Sequence, residues 1–359
     1  MKSNYNQLGQ YIEMVSRTNS DLKYGIEDVR GCSNTKQMMQ TRANLIGRTY
    51  EKFIVLRPQE FVFNRRTTRN GEKIGMAYNN TDREYIFTND YVAFRVKQEY
   101  LDKLLPDYLY MFFCRDEFDR YARYKSTGSA TEFFNWEDMC AVPFEIPPMD
   151  FQQLVVNAYK VLNERIETKQ KINDNLATQA LTLFSDFVSH RSKKLEQRKL
   201  GDVIASANTG GDAIQKVPIV DYDTGIKCAR VGDITNAREY ASWAFCNASK
   251  SVYDNYKLQA GDILVTRTAT LGITQYIAKD ISAVYNNGLI RLKVDDTNAL
   301  SLYIYWAMKT SDFLNYINQM NSATSVRPNM KIDYLLNYQL SIPSIEEQTQ
   351  FTNAVEPLM

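Results

Sequence analysis

Apolar and polar positions along this chain change period several times, and the order of the changes occurs twice. An apolar run at Phe61-Val62-Phe63, a turn containing Asn70-Gly71 and a second run from Ile74 to Tyr78 predict a β-hairpin, because Asn-Gly readily adopts the positive φ angles of a tight hairpin turn. Ile263 to Thr266, a turn near Ala269 to Gly272, and Ile273 to Ile277 predict a second one. Val92 to Val96 and Leu289 to Val294 read as further strands. Residues 101–121 and 300–320 space their apolar side chains by three and four, the signature of amphipathic helices. Each stretch then closes on a proline-punctuated strand, at 142–148 and 338–343, since proline cannot continue a hydrogen-bonded ladder.

Short sequence matches accompany the repeated pattern. Leu8-Gly9-Gln10-Tyr11-Ile12 returns as Leu200-Gly201-Asp202-Val203-Ile204, and Thr88-Asn89-Asp90-Tyr91 as Tyr285-Asn286-Asn287-Gly288. Tyr108-Leu109-Tyr110 with Phe118 recurs as Tyr303-Ile304-Tyr305 with Phe313. Ser126-Thr127-Gly128-Ser129 is echoed by Asn321-Ser322-Ala323-Thr324, and Ile146-Pro147-Pro148 with Gln152 by Ile342-Pro343-Ser344 with Gln348. The offset stays between 192 and 202 residues in every case. Such a period is far too long for a solenoid, so it marks a duplicated α+β domain.

Between the copies the pattern is of another kind. From Phe151 to Phe187 there is neither proline nor glycine. A four-three alternation picks out Val155, Tyr159, Leu162, Ile166, Lys169, Asn173, Leu176, Ala180, Leu183 and Phe187. This is a coiled-coil seam, in which Lys169 and Asn173 are polar interruptions of the kind that fix register. At 1.5 Å per residue the helix extends about 55 Å and asks for a partner helix. Residues 345–359 carry only the first turns of an equivalent second helix, with Pro357 set to end or kink it. Either this is a shortened form of a longer chain, or the natural protein is truncated, or another chain supplies the partner. The expected organisation is one domain at 1–150, a connecting helix at 151–198, a second domain at 199–345 and the start of a second helix at 346–359.

Composition narrows the chemistry. The 359 residues are 44% apolar, enough for a core in each half. No run approaches the roughly 20 apolar residues of a membrane span, and nothing after Met1-Lys2 resembles a leader, so a cytoplasmic protein is expected. Cys32, Cys114, Cys140, Cys228 and Cys246 are scattered without a C-x-x-C pair, and His190 is the sole histidine. That leaves few ligands for zinc and no base for most Ser/His or Cys/His nucleophile schemes. There is no phosphate-binding loop, no Asn-Pro-Pro-aromatic run and no Gly-x-Gly after an early strand. Glu167-Thr168-Lys169 has the spacing of a nuclease motif, but it falls inside the long helix. No catalytic site is expected.

Net charge is only +1, yet residues 42–73 hold eight basic side chains against three acidic ones. Arg65, Arg66, Arg69 and Lys73 surround the first hairpin turn, and Arg267, Thr268 and Thr270 occupy the matching place in the second copy. Lys125 and Ser126 follow the first amphipathic helix, and Arg327 and Lys331 the second. Arginine pairs with phosphate or with guanine O6 and N7, and hydroxyls serve phosphate or base edges. These eleven residues are therefore the candidate DNA contacts. Val155, Tyr159, Leu162, Ile166, Asn173, Leu176, Leu183 and Phe187 are the candidate docking seam.

Gly261-Asp262-Ile263-Leu264-Val265-Thr266-Arg267-Thr268, Ser126-Thr127-Gly128, Ile146-Pro147-Pro148-Met149 and Ile342-Pro343-Ser344-Ile345-Glu346-Glu347-Gln348 together resemble the specificity subunits of type I restriction–modification systems. The resemblance spans nearly the whole chain. It implies two target-recognition domains, each reading half of an asymmetric split site on double-stranded DNA. It also implies a coiled coil that sets the spacer and docks two modification subunits, with restriction–translocase subunits joining through them. The chain itself would hold no cofactor, while the partners would use S-adenosylmethionine, ATP and Mg2+. An enzyme, such as a fused methyltransferase or nuclease, is the rival that the missing motifs oppose. A coiled-coil scaffold without DNA readout is the other alternative.

Overall fold

The computed structural model describes residues 6–41, 45, 47–66, 73–128, 131–189, 196–210, 218–323 and 329–358. Arg69, the Asn70-Gly71 turn, His190 and Arg327 lie outside the described residues. The chain divides into two units, Met1–Glu167 and Thr168–Met359.

In the first unit, strands β1 (Ile12–Val15), β2 (Phe61–Asn64), β3 (Met76–Tyr78) and β4 (Tyr91–Val96) form one antiparallel sheet in the order β1-β4-β2-β3. The predicted hairpin is thus present, with Phe61 opposite Tyr78. Phe61, Phe63 and Phe94 point from the sheet into a core shared with Phe113, Phe118 and Phe134, all buried. Each such ring contributes roughly 1.5–3 kcal/mol on removal from water. That core is closed by helices α1 (Pro106–Phe113), α2 (Asp116–Lys125) and α3 (Trp136–Cys140). The single helix expected over 101–121 is two: Pro106 starts α1, and Arg115 is extended, so α2 begins afresh. The strand expected over 142–148 is reduced to one bridge, Gln7 to Pro143, because Pro143, Pro147 and Pro148 remove three ladder donors. Short pairs at Arg30–Cys32 with Met38–Gln40, and Ile54–Leu56 with Tyr85–Phe87, pack outside the main sheet.

Helix α4 runs without a break from Met149 to Ser189, beginning in the first unit and ending in the second.

The second unit repeats the arrangement. Strands β5 (Ile204–Thr209), β6 (Ile263–Thr266), β7 (Thr274–Tyr276) and β8 (Leu289–Val294) take the order β5-β8-β6-β7, position for position that of the first sheet. Helices α5 (Ser301–Ala307), α6 (Ser311–Ala323) and α7 (Ile332–Leu336) follow. Here too the expected long helix is split, by a turn whose Thr310 hydroxyl accepts the Phe313 N–H at 3.4 Å. The closing strand is present as Gln339–Ile342, paired with Glu196–Lys199, since one proline rather than three interrupts it. Helix α8 (Ile345–Val355) starts with a reciprocal cap between Ser344 and Glu347 and ends before Pro357, which lies in a 3-10 turn. A further sheet joins Ile219–Val220, Phe245–Cys246, Lys227–Ala229 and Ala283–Tyr285, and its parallel pair Cys228 with Val284 is matched in the first unit by the parallel bridge Val29 to Ile86.

The repeated Leu-Gly motif has a packing cause. Leu8 N–H donates to Val142 O at 2.9 Å, and Leu200 N–H donates to Tyr338 O at 2.8 Å. The glycine beside each leucine lies against a short helix. A Cβ on Gly9 would stand 2.7 Å from Cys140 Cβ, and one on Gly201 3.3 Å from Leu336 Cβ.

Candidate nucleic-acid interface

In the first unit the chain leaves β2 at Arg65, whose carbonyl accepts the Phe134 N–H at 2.9 Å. Thr127 and Phe133 exchange two main-chain bonds, 3.1 and 2.9 Å, which close the loop after α2 and lay it beside the strand end. Gly128 (φ +145°) makes that loop possible, because a Cβ there would fall 2.0 Å from Thr131 O. This explains the Ser-Thr-Gly motif. The Arg65 guanidinium lies over the Phe133 ring, 5.9 Å from its centroid. Arg66 stands 3.6 Å from the Asp90 carboxylate at the start of β4, both more than half exposed. Lys73 is 3.5 Å from Asp116 at the head of α2. The Lys125 ammonium sits 5.9 Å from the ring centroids of Tyr121 and Tyr124. Ser126 Oγ donates to Ala122 O at 2.7 Å, which leaves it an acceptor toward solvent. Exposed ion pairs of this kind contribute at most about 1 kcal/mol, so an incoming phosphate or base edge competes with them readily.

The second unit builds the same tip with other side chains. Arg267 O accepts the Met330 N–H at 2.8 Å, the counterpart of the Arg65–Phe134 bond, and Thr268 bridges Asn329. The Arg267 guanidinium is partly committed to the main chain: Nε donates to Met330 O and Nη1 to Asn287 O, each at 3.1 Å. Two of its five N–H donors are used in this way, so it anchors the loops as well as carrying charge. Gly288 takes the place of Asp90, and a Cβ on it would stand 2.9 Å from Thr268 Oγ1. Thr270 and Lys331 are exposed.

Carboxylates at the other end of each strand order the turn that leads into it. Glu60 Oε2 accepts the Arg57 N–H at 2.8 Å and forms a fork with Arg17, while Asp262 Oδ2 accepts the Gln259 N–H at 2.9 Å. Burial raises the Asp262 carboxyl above its ordinary range, opposed by the Gln259 bond and by Arg291 and Lys293. These carboxylates, Phe133, Asp90 and Gly288 were not singled out from sequence. Their only signal was their position beside repeated motifs.

The long helix is fixed at both ends. Gln152, fully buried, accepts the Leu105 N–H and donates to Lys103 O and Pro147 O. In α8, Gln348 accepts the Leu300 N–H at 2.7 Å and donates to Pro343 O at 2.9 Å. At the far end of α4, Phe184 and Phe187 meet the Phe351 ring with centroids 5.2 and 5.5 Å apart. The buried positions there are Ala180 and Phe184, with Phe187 and Val188 partly covered. Leu183, which the four-three count selects, is 43% exposed instead. Ala180 and Phe187 of the counted seam stay in the covered stripe, and 3.6 residues per turn bring Phe184 into it in place of Leu183. Val155 and Leu176 are half-buried, and Asn173 is exposed. Tyr159, Leu162 (58%) and Ile166 (54%) are exposed apolar side chains on the middle of the helix.

Among the described residues no three His, Cys, Asp or Glu side chains converge into a metal-binding group, and no helix is long and apolar enough to cross a membrane. The family described as type I restriction modification DNA specificity domain matches residues 192–358. No curated protein sequence matches the chain. Among solved structures, the type I restriction–modification S subunit from M. genitalium superposes with a TM-score of 0.52 at 13% identity, covering 100% of this chain and 90% of that one. The HsdS subunit from Thermoanaerobacter tengcongensis gives 0.36 at 16% identity, over 99% and 88% of the two chains. A chain from a structure titled for complex assembly and conformational transition of the type I R-M system gives 0.38 at 14% identity, over 99% and 89%. The first of these establishes the fold, and the family match lies on the second unit, whose sheet order the first unit reproduces. Residues 192–358 thus match the type I restriction modification DNA specificity domain, and the chain as a whole shares the fold of a type I restriction–modification S subunit.

Proposed function

We propose that each unit reads one half of a bipartite, asymmetric site on double-stranded DNA, through the tip where the β2 or β6 strand end meets the loop after α2 or α6. The observation that carries this is the pairing of identical sheet order with different tip chemistry: Arg65, Arg66 and Asp90 in one unit, Arg267, Thr268 and Gly288 in the other. Identical tips would favour a palindrome, and unlike tips favour two unlike half-sites. Lys73, Lys125, Ser126, Thr270 and Lys331, with Arg69 and Arg327 outside the described residues, complete the proposed contact set.

Helix α4 would set the unread spacer and dock two modification subunits, through which the restriction–translocase subunits join. Its exposed Tyr159, Leu162 and Ile166 support a docking role. S-adenosylmethionine, ATP and Mg2+ would be bound by those partners, and the complex would act in the cytoplasm. A nearly neutral chain suits this arrangement, because counterion release is shared with the other subunits.

The deciding experiment replaces residues 1–150 by the equivalent segment of another specificity subunit and sequences the host methylome. One half of the methylated motif should change. Change in both halves, or in neither, refutes the assignment. Reversing charge at Arg65, Arg66 and Arg267 should abolish methylation by an assembled complex, whereas a pure scaffold would tolerate it.

A further inference from the structure

Helices α2 and α6 occupy equivalent places, and their buried faces agree. Phe118 matches Phe313 and Ala122 matches Ile317, all buried. Tyr121 Oη donates to Asp138 O at 3.4 Å, and Tyr316 Oη donates to Tyr334 O at 2.7 Å, so each tyrosine ties its helix to the next short one. With the register fixed in this way, the solvent faces correspond as well. On α2 that face carries Arg120, Arg123 and Tyr124, the last 83% exposed. On α6 it carries Asn315, Asn318 and Gln319, all exposed.

The chemistry of these faces is selective. The later turns, 120–126 and 313–319, contain no acidic residue, the exposed acids Asp116, Glu117 and Asp312 being confined to the first turn of each helix. Cations in the last turn of α2 would also offset the helix dipole. The amides of α6 do no such thing, so dipole compensation does not account for both faces. Arginine is the bidentate partner of guanine, and asparagine and glutamine are the bidentate partners of adenine. Side chains three and four apart rise about 4.5–6 Å along a helix, which spans between one and two base steps of about 3.4 Å. Arg120 pairs with Glu117 one turn earlier, at 3.4 Å, and Arg123 with Glu132 in the adjoining loop. Both are surface pairs that DNA displaces at little cost. The face also runs directly into Lys125, Ser126 and the strand-end tip.

We propose that the exposed faces of α2 and α6 lie in the DNA major groove and supply base contacts, Arg120 and Arg123 to guanine in one half-site and Asn315, Asn318 and Gln319 to adenine in the other. This rests on the reading of the chain as the two-part DNA reader given above. It adds the helix faces to the strand-end tips beside them as base-reading elements of each half-site.

The test uses the complete complex with its modification partners, S-adenosylmethionine and oligonucleotide duplexes carrying every single-base change in the wild-type motif. The R120N/R123N/Y124Q chain should lose about tenfold to hundredfold discrimination at G·C positions of one half-site, with the other half read normally. The N315A/N318A/Q319A chain should relax A·T positions of the opposite half. Should either triple variant fail to assemble, R120Q and N315A alone, both at exposed positions, carry the same expectation at single base pairs. Unchanged discrimination overturns the proposal, as does a uniform loss of affinity for all sequences, which marks phosphate contact only. If the wild-type complex shows no bipartite motif, the underlying two-part reading fails first, and the two failures are distinct.

Discussion

Gln152 Oε1 accepts the main-chain N–H of Leu105 at 2.9 Å, and that N–H belongs to the residue capping the next helix of the core. One buried amide thereby fastens the start of α4 to the start of α1. Removing it takes a partner from the part-buried Leu105 N–H and from the Lys103 and Pro147 carbonyls. Gln152→Leu is expected to cost about 2–4 kcal/mol, and Gln348→Leu, which frees fewer groups, somewhat less. Urea unfolding of the full chain measures both, and a loss below about 0.5 kcal/mol at Gln152 would contradict the role.

The two glycines after the repeated leucines make a graded pair. Gly9→Ala forces a contact of 2.7 Å between two Cβ atoms, while Gly201→Ala meets Leu336 at 3.3 Å, within reach of small adjustment. Overpacking typically costs about 1–3 kcal/mol, so Gly9→Ala should lower Tm by several degrees and Gly201→Ala by less. A reversed order in calorimetry would sink the comparison.

Arg267 serves the fold as well as its proposed DNA contact. Lysine keeps its charge but not the fork that holds Asn287 O and Met330 O. Arg267→Lys should therefore destabilise the chain by about 1–2 kcal/mol. Thr270→Ala, at an exposed position, should change stability by less than about 0.5 kcal/mol. Equal stabilities for wild type and Arg267→Lys would mean that the fork is not formed in solution.

Lys309 donates to Thr274 O at 2.8 Å and sits 5.0 Å from the Tyr305 ring centroid; burial lowers its pKa to about 8. Between pH 8 and the ordinary lysine value of 10.5, the unfolded chain binds a proton that the folded chain has released. Stability therefore rises with pH across that window, by up to on the order of 3 kcal/mol. Below pH 8 both states are charged and the contribution is flat. In Lys309→Met this rise should vanish, and the stability difference between variant and wild type should shift toward wild type from pH 7 to pH 10. A pH-independent difference would refute the shift.

Much of the fold was legible because duplication gave each weak signal a second witness. The hairpin strands at Phe61 and Ile263 and the strands at Val92 and Leu289 stand where period-two patterning put them. The helices over 101–121 and 300–320 were over-extended, because apolar spacing continues through Arg115 and Thr310 while the backbone does not. Leu183 was chosen by a heptad count, but Phe184 is the buried neighbour. The tip was legible as basic residues near a turn. Its assembly was not, since the bonds from Arg65 to Phe134 and from Arg267 to Met330 join segments more than sixty residues apart.

In both units the apolar contacts and tyrosine bonds that seat α2 and α6 lie on one side, through Phe118, Tyr121, Phe313 and Tyr316, while the outward Arg120 and Arg123 make surface ion pairs with Glu117 and Glu132. Mutation on the outer face is therefore nearly neutral for folding. On the proposed reading, new target sequences become accessible one substitution at a time, without a compensating change elsewhere. A protein built this way would diversify its choice of DNA faster than its scaffold ages.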